Sequence, residues 1–492
     1  MSDALEKRIK KHIIGKPHRF LAVSPLGFEQ TLSRELEIIL GESATEPQHV
    51  IGDGKVEFTT KLTEAWKAVA VSRIANRVLM EVASFKAESF RELEKKASEI
   101  PWELYLPCHP ERYNTSCEVE ESINIHVTCK HSRLYHSDAI AERLYKIIEG
   151  VSLPLAPADT ASATPSAGTP RNAPLQNLYV NFLDDRCTIW LDLAGKELYK
   201  RGFERFVNDA PLKETIASAM IFEAIEILRL RAPRSAQDDT SHPRSITLID
   251  LMSGSGTFSL EAACIANKII PGTCRDFALK HQPAFKEATW NFITRSNSSA
   301  PVTLSETIYE TRGFSPLVEL GSKEQGPVKS CNTFATIAKI ITSDISERAV
   351  NIIKHNIECS PLANISPAPI APQQKDFFSY SAKEIADACG DTSPILVLNP
   401  PYGKRLDFDA PKLYTQIGKK LTELARDLHH FGKSLTVAIL APKDDTRDGT
   451  KYTCTANLLR ECPALSKEHT PTAKVIQTSH GGFSLNAIFA TI

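Results

Sequence analysis

The chain has 492 residues, enough for about two to four domains with hydrophobic cores of their own. Hydrophobic residues make up 42% of the sequence and the formal net charge is −1, which is typical of a globular protein without a global positive field for nucleic acid. The charged N-terminus, the lack of any apolar run near about 18 residues, and the 11 cysteines without a C-x-x-C pair predict a cytoplasmic protein with neither a membrane span nor a metal site.

Four stretches of loop-like composition interrupt the predicted elements. Residues 154–177 (PLAPADTASATPSAGTPRNAPLQN) are rich in proline, alanine, serine and threonine, which predicts a flexible insertion. Shorter polar stretches cover residues 231–245 and 360–374, and residues 291–331 are weakly patterned. Because three of the four stretches lie in the second half, we expect that half to be one domain with long surface loops.

After residue 244, strand and helix patterns alternate along the chain. Predicted strands cover residues 245–252, 338–345, 393–399 and 434–440, and the C-terminal residues 473–492 read as two strands that turn at Gly481-Gly482. Predicted helices cover residues 257–269, 346–359 and 412–431. These repeated βαβ units predict a mostly parallel sheet with helices on both faces and with ligands at the carboxyl ends of its strands.

A glycine-containing turn follows the first of these strands, in the sequence DLMSGSGTFSLEAA (residues 250–263). Gly254 and Gly256 would leave no side chain between the backbone and a ligand, and the next helix would offer free N–H groups at its start. Asp250 lies where a carboxylate can accept a bond from an ammonium or hydroxyl group. A lone G-x-G is also compatible with a plain strand-to-helix turn.

Two further acidic residues follow predicted strands. Asp344 ends the second strand, at the place where dinucleotide sites carry an acid that holds the ribose hydroxyls, although aspartate is also favoured as a helix N-cap. Asp376, in QQKDFFSY, follows a predicted third strand, and here an ordinary turn residue is the alternative.

The third signal is Asn399-Pro-Pro-Tyr402, directly after the apolar run ILVL. Prolines stop a strand rigidly, so they would hold the Asn399 amide oxygen and the Pro400 carbonyl in place as acceptors for the two N–H groups of a planar amine. Accepting both bonds turns the nitrogen lone pair toward a methyl donor, and the Tyr402 ring offers a stacking surface. Adenine N6, guanine N2 and the amide of a protein glutamine all fit this chemistry.

The order of these strand-end signals is typical of an enzyme that uses S-adenosylmethionine (SAM), rather than of a nicotinamide enzyme. We therefore predict SAM as the cofactor and Asn399, Pro400 and Tyr402 as catalytic residues. The predicted cofactor contacts are Asp250, Ser253, Gly254, Gly256, Asp344, Asp376 and Asn399.

Several longer segments strengthen this assignment by resemblance to a known family. They are FLAVSPLGFEQTLSREL (residues 20–36), INIHVTCKHSRLYHSDAIAERL (123–144), LDLAGKELYKRGFERFVNDAPLKETIASAM (191–220), the turn at 250–263 and NPPYGKRL (399–406). Together they resemble the THUMP-containing RNA guanine-N2 methyltransferases, which include bacterial RlmL-type 23S ribosomal RNA enzymes and archaeal tRNA relatives. Leu251 and Ser253 stand where this family usually has Pro and Cys, and Ala194 and Tyr199 stand where it often has Ser and His.

The resemblance implies a Rossmann-like seven-stranded SAM methyltransferase domain at residues 211–492, after a linker at 195–210. It also implies a ferredoxin-like part at 18–60 and a THUMP-like RNA-binding domain at 50–194, and we expect the two halves to fold separately. Three basic clusters fit an RNA partner, with a solvated charged face as the alternative. The clusters are Lys7, Arg8, Lys10, Lys11, Lys16 and Arg19; Lys130, His131 and Arg133; and Lys200, Arg201 and Arg205.

The sequence thus predicts methylation of a guanosine N2 amine in RNA, with 23S ribosomal RNA or its precursor as the partner. Methylation of another planar nitrogen, including adenine N6 or guanine N2 of tRNA, is the enzymatic alternative. The alternative from another class is an RNA-binding assembly factor that has lost catalysis.

Overall fold

The computed structural model describes residues 3–41, 49–107, 123–150, 176–207, 211–230, 245–294, 336–402, 409–447 and 450–492. Most of the predicted loops at 154–177 and 291–331 lie outside these residues. The described residues form two seven-stranded sheets and a separate two-stranded hairpin. In this part of the chain, no helix has both the length and the apolar character that a membrane span requires.

The first sheet is built from residues 17–192 and has the order β2-β3-β1-β4-β7-β6-β5. Its strands are β1 Pro17–Val23, β2 His49–Gly52, β3 Lys55–Lys61, β4 Arg77–Lys86, β5 Ile123–Lys130, β6 Gln176–Leu183 and β7 Arg186–Asp192. Only β5 and β6 are parallel among these neighbours. The accompanying helices are α1 Asp3–Ile9, which continues into a π-helix Lys10–Ile14, α2 Glu29–Leu40, α3 Leu62–Val71, α4 Phe90–Ser98 and α5 Ser137–Gly150.

One end of the predicted flexible insertion belongs to this sheet instead. Gln176 and Asn177 begin β6 and are buried, so the prediction of a loop up to residue 177 is wrong for these two residues. Gln176 donates a hydrogen bond to the Ala278 carbonyl at 3.2 Å, which is a contact that a local composition cannot indicate.

The second sheet carries the predicted strand-end residues and has the order β10-β9-β8-β11-β12-β16-β15. Its strands are β8 Ser245–Asp250, β9 Thr336–Asp344, β10 Gln373–Gln374, β11 Ser393–Leu398, β12 Thr436–Pro442, β15 Lys474–His480 and β16 Phe483–Thr491, and the separate hairpin is β13 Asp445–Arg447 with β14 Thr450–Tyr452. The first five strands in the order are parallel, and β16 is antiparallel to both of its neighbours. The predicted mostly parallel, Rossmann-like sheet of seven strands is confirmed.

Helices cover both faces of this sheet, as predicted. They are α6 Glu214–Leu230, α7 Thr257–Ala266, α8 Glu287–Thr294, α9 Glu347–Glu358, α10 Ala382–Cys389, α11 Ala410–His429 and α12 Cys454–Glu461. Successive residues of the apolar run in β11 point into different cores: Ile395 and Val397 join one buried cluster, and Leu396 and Leu398 join another. A continuous apolar strand is what a sheet covered on both faces requires.

The expectation that the two halves fold separately is not supported by the packing. One cluster of buried side chains extends from Phe20 and Trp66 near the N-terminus, through Ile216 of α6, to Leu248 and Phe489 of the second sheet. The first helices and the second sheet therefore share a hydrophobic core. The domain boundaries that the sequence predicts stay predictions.

The segment that joins the two sheets, residues 194–207, is bound along its length rather than free. We call it the connecting segment. The Arg275 guanidinium donates hydrogen bonds to four of its backbone carbonyls at 2.5–3.4 Å. A Cβ atom on Gly202 would lie 2.4 Å from the Cys274 carbonyl oxygen, so only glycine permits this close approach.

A buried ionic cluster fixes the connecting segment to both sheets. Glu261 of α7 accepts hydrogen bonds from Arg201 at 3.0 and 3.1 Å, from Arg73 at 3.2 Å and from the Ser218 hydroxyl at 2.7 Å. Burial alone would raise the pKa of Glu261, but the charges of Arg201 and Arg73 outweigh it and hold this pKa at about 2. Arg201 and Arg205 are mostly buried in ion pairs with Glu261 and Glu214, so the prediction that they face RNA is wrong.

Candidate cofactor and substrate site

The predicted site residues lie at the carboxyl ends of three adjacent parallel strands, β9, β8 and β11. Asp250 is level with Thr342 on one side and with Val397 on the other. Asp344 and Asn399 therefore each lie two residues beyond that level, on either side of the turn that follows β8. The strand order reverses at β8, and parallel sheets form their ligand crevices at such a reversal.

The turn between β8 and α7, residues 251–256, is referred to below as the glycine loop. Its Gly254 N–H donates to Asp344 Oδ2 at 2.8 Å, while Asp344 Oδ1 accepts from the Ser346 N–H at 2.9 Å. The N-cap of α9 is Ser346 rather than Asp344. A Cβ atom on Gly254, whose φ is +55°, would meet no heavy atom within 4 Å, so this face of the loop is open.

Gly256 and Ser253 have structural partners. A Cβ atom on Gly256 would lie 2.9 Å from Ile353 Cγ1 of α9, so this glycine allows close packing of the loop against the helix. The Ser253 hydroxyl donates to the Ser343 carbonyl at 2.8 Å and thereby ties the loop to the end of β9.

Asp250 is completely buried at the end of β8. Its Oδ2 accepts from the Ser259 hydroxyl at 2.7 Å, whereas its Oδ1 has no hydrogen-bond partner among the described residues. Burial raises the pKa of Asp250 to about 7, although the bonds from Ser259 oppose the shift, and the nearby charge of Asp344 adds to it. A buried carboxylate oxygen without a donor is an open position for a cationic or hydroxyl group.

Asp376 follows β10, the edge strand of the second sheet, at the same carboxyl edge as the other site residues. The two-residue strand β10 pairs with β9 so that Gln374 is level with Asp344. The Asp376 side chain accepts from the Phe378 N–H at 3.1 Å and caps a 3-10 turn, Phe377–Ser379. This is the turn role that the sequence left as the alternative for Asp376.

Asn399 has an unusual environment at the end of β11. Its Oδ1 is buried and lacks a hydrogen-bond partner within the described part of the chain. A buried acceptor without a donor costs about 1–3 kcal/mol, so such atoms are rare unless a ligand supplies the donor. Pro400 is buried next to it, which fixes the backbone at this point.

Tyr402 packs against the hairpin that β15 and β16 form. Its hydroxyl oxygen lies 3.5 Å from His480 Nδ1, and its ring contacts the edge of Phe483 at a centroid distance of 5.9 Å. Burial raises the pKa of Tyr402 and lowers that of His480, so both groups are neutral at pH 7. Gly403 to Leu406, the rest of the motif, lie outside the described residues.

Comparison with known families gives a direct assignment. Residues 19–79 match the family model of the RlmL ferredoxin-like domain, and residues 237–444 match that of the RMKL-like methyltransferase domain. The chain contains an RMKL-like methyltransferase domain. The match runs from before β8 to beyond β12 and includes every predicted site residue. The resemblance to RlmL-like methyltransferases recognised in the sequence is confirmed.

Relatives whose alignments cover most of the chain carry related names. The ribosomal RNA large subunit methyltransferase K/L of Allochromatium vinosum is 27% identical over 414 residues, which are 82% of this chain and 46% of that protein. The chain thus spans about half the length of such relatives. The putative RNA methyltransferase YpsC of Bacillus subtilis is 24% identical, and the alignment covers 83% of this chain and 86% of that protein.

A solved structure supports the fold. A crystal structure described as a putative methyltransferase complexed with SAH aligns over 96% of this chain and 98% of its own, with a TM-score of 0.61 and 20% identity. The alignment extends across both sheets, so the arrangement of the N-terminal sheet and the RMKL-like methyltransferase domain recurs in another protein.

Three residues that the sequence did not predict join the site: Ser259 and Ile345, which lie within the matched methyltransferase domain, and His480, which lies beyond it. Ser259 positions Asp250 and itself accepts from the Thr342 hydroxyl at 2.7 Å. Ile345, directly after Asp344, is an apolar side chain that is 67% exposed beside the open glycine loop. A small polar residue in the first turn after the glycine loop is a usable signal for Ser259, but His480 has none, because it lies 78 residues from Tyr402.

The donor set fits an organic cofactor with hydroxyl and ammonium groups. It consists of two carboxylates, a serine-rich loop with free backbone space at Gly254, and an exposed apolar side chain. Across the described ranges, no group of three or more His, Cys, Asp or Glu side chains is placed to hold a metal ion.

Proposed function

We propose that this protein is a SAM-dependent RNA methyltransferase that forms N2-methylguanosine in 23S ribosomal RNA. The observation that carries the proposal is the buried Asn399 Oδ1, which has no hydrogen-bond partner among the described residues and lies two residues beyond the level of Asp250 in a methyltransferase domain. The large-subunit ribosomal RNA named for the Allochromatium relative supports the choice of RNA. The enzyme would act in the cytoplasm.

Three residues around the glycine loop would each bind a different group of the cofactor. Asp344 would accept bonds from the ribose hydroxyls, because its carboxylate is only half-buried and bonds to the N–H of Gly254 in the open part of the glycine loop. Asp250 Oδ1 would take the ammonium group, with Ser259 holding the other oxygen. Ile345 would cover the apolar face of the adenine ring. SAM, when bound here, supplies an electrophilic methyl group on its sulfonium.

The residues that follow β11 would bind the base and its exocyclic amine. Asn399 Oδ1 and the Pro400 carbonyl would accept its two N–H groups, which turns the lone pair toward the methyl donor and stabilises the positive charge that develops on nitrogen. The Tyr402 ring, braced by Phe483, would stack on the base. A base inside a helix must leave its stack to reach Asn399.

Exposed lysines at the N-terminus support an RNA partner. Lys7 of α1, Lys10 and Lys11 of the following π-helix and Lys16 just beyond it are exposed. Among the described residues none of the four lies within ion-pair distance of an acidic side chain, although Lys10 is close enough to Glu6 to lower its pKa. Lysines of this kind attract phosphates in a salt-dependent manner. Arg8 and Arg19 of the same predicted cluster pair with glutamates, so they contribute less.

The experiment that tests the proposal compares modified nucleosides in ribosomal and transfer RNA from a strain with and without the gene. Loss of N2-methylguanosine from 23S ribosomal RNA, restored by the wild-type gene, is the expected result. Loss of N6-methyladenosine instead, or loss from tRNA, would establish the enzymatic alternative. No change in any nucleoside, together with no SAM binding, would favour the non-catalytic RNA-binding factor.

Replacement of Asp344 by alanine should weaken SAM binding strongly without removing it. The ribose hydroxyls would lose a charged acceptor worth about 1.5–3 kcal/mol, and the glycine loop would lose its bond at Gly254. Titration calorimetry with SAM measures the effect. Asp344→Asn keeps one acceptor oxygen, so its SAM affinity should lie between those of the wild type and of Asp344→Ala. Wild-type affinity in Asp344→Ala would mean that Asp344 stabilises only the glycine loop and the start of α9.

SAM affinity should depend on pH through Asp250. With its pKa near 7 in the free protein, Asp250 is largely protonated at pH 6, and the ammonium group favours the carboxylate. Binding at pH 6 should therefore release a proton, and affinity should rise with pH until about 7 and then level off. Calorimetry in two buffers of different ionisation enthalpy measures the proton release. Asp250→Asn should abolish this release, and its absence in the wild-type protein would contradict the assignment.

A further inference from the structure

The connecting segment ends against the underside of the glycine loop. Asn356, a completely buried residue of α9, bonds to both. Its Oδ1 accepts from the Phe206 N–H at 2.8 Å, and its Nδ2 donates to the Phe206 carbonyl at 2.9 Å and to the Ser255 carbonyl at 3.1 Å. One amide side chain therefore joins the connecting segment, α9 and the glycine loop.

Arg205, the residue before Phe206, makes a second tie to the loop. Its Nη2 donates to the Ser255 hydroxyl at 3.3 Å and to the Thr257 hydroxyl, while its Nη1 pairs with Glu214 at the start of α6. Thr257 is the first residue of α7. Both side-chain ties thus reach the loop between Gly254 and the helix that follows it.

These ties act on the most deformable part of the site. Ser255 lies between Gly254 and Gly256, both of which have positive φ, and glycines leave a backbone many alternative conformations. Two side chains hold the loop at neighbouring residues: Asp344 accepts from the Gly254 N–H, and Asn356 donates to the Ser255 carbonyl. Ile353, which packs against Gly256, lies one helical turn from Asn356 on the same face of α9.

We propose that Asn356 is a positioning residue for the cofactor site, with Arg205 as its partner, and that the connecting segment is part of the cofactor-binding apparatus. This inference rests on the proposed use of SAM. Asn356 sets the backbone of the glycine loop in the geometry that binds the cofactor. It does so against a segment that Arg275 and the Glu261 cluster anchor to both sheets.

A chain of hydrogen bonds also links the glycine loop to the N-terminal sheet. Arg73 reaches Glu261 from the loop between α3 and β4, and Arg201 in turn donates to the Arg73 carbonyl at 2.9 Å. Along this path Arg73 and Arg201 are buried, Arg205 is ion-paired with Glu214, and Phe206 is held to Asn356 through its backbone N–H and carbonyl. A shift of the N-terminal sheet against the methyltransferase domain would therefore move the support of the glycine loop.

The test compares SAM binding and turnover in Asn356→Ala, Arg205→Lys and the wild type. Asn351→Ala is the matched control, because Asn351 is an exposed asparagine on the same helix. We expect Asn356→Ala to raise the Kd for SAM about tenfold, equivalent to ~1.4 kcal/mol, with kcat at saturating SAM within about twofold of wild type. Arg205→Lys keeps a positive charge for Glu214 but loses the second guanidinium nitrogen that bonds to Ser255 and Thr257. It should therefore raise the Kd for SAM less, by about threefold.

The readouts separate positioning from stability. Calorimetric stoichiometry gives the folded fraction, so a residue that only supports the fold would lower the stoichiometry and leave the Kd unchanged. Wild-type Kd in Arg205→Lys and in folded Asn356→Ala would overturn the inference. If Asn356→Ala does not fold, the Kd of Arg205→Lys decides. Failure of the wild-type protein itself to bind SAM would overturn the proposed function, and the inference with it.

Discussion

Replacement of Asn399 by alanine is expected to lower the rate of methyl transfer about a hundredfold or more, the typical effect of removing one preorganised polar group from a reaction centre. Its buried Oδ1 has no partner among the described residues, so the group is available to a ligand, and the proposed function gives it to the substrate amine. Affinity for SAM should stay close to that of the wild type. Single-turnover methylation of 23S ribosomal RNA and calorimetry with SAM measure the two quantities.

Two further variants make this result specific. Asn364→Ala removes an exposed asparagine from a surface turn after α9 and should leave both quantities unchanged. Asn399→Asp keeps an acceptor oxygen at the same place and should retain more activity than the alanine variant. An equal loss of SAM affinity and turnover in Asn399→Ala would mean that the residue supports the fold of the strand end and not the chemistry.

Replacement of Glu261 by alanine should be the most destabilising of the changes considered. It leaves Arg73 and Arg201 buried without their counter-charge, and breaking a buried ion pair by removing one partner typically costs about 3–5 kcal/mol. We expect a large drop in the midpoint of denaturant unfolding, with the N-terminal sheet and the methyltransferase domain both affected.

Glu358→Ala on α9 is the matched control, because this glutamate is exposed. Glu261→Gln keeps the shape and part of the hydrogen bonding, so its loss of stability should be smaller than that of Glu261→Ala. Unfolding of Glu261→Ala at the wild-type midpoint would show that the two arginines find other partners or water, and would remove the ionic cluster as a link between the sheets.

The sequence predicted the elements of the second sheet well because their signals are local. The apolar run before Asn399, the glycines after β8 and the amphipathic pattern of α11 each depend on neighbouring residues. The boundaries differ by a few residues: the predicted helix at 412–431 is Ala410–His429, because Asp409 caps it and Pro411 fits its first turn. The third strand was found, but it is only Gln373–Gln374.

The parts that sequence patterns could not supply depend on residues far apart in the chain. Arg201 and Arg205 looked like surface charges because their partners Glu261 and Glu214 belong to later helices. Gly256 was predicted as a cofactor contact, but the close approach of Ile353 on α9 to this glycine has no local signal in the sequence. Asp250 Oδ1 and Asn399 Oδ1 have no hydrogen-bond partner among the described residues, and this is a property of the packed molecule that no motif indicates.

The Glu261 cluster also has a consequence for synthesis on the ribosome. Arg73 belongs to the first part of the chain, yet its carboxylate partner is made 188 residues later. The usual order, in which an N-terminal domain completes its folding before the next one emerges, is therefore not available to the face of the first sheet that carries α2 and α3. That face stays unfinished until α7 has left the exit tunnel, so chaperone binding to nascent chains should persist past residue 261 rather than end near residue 194.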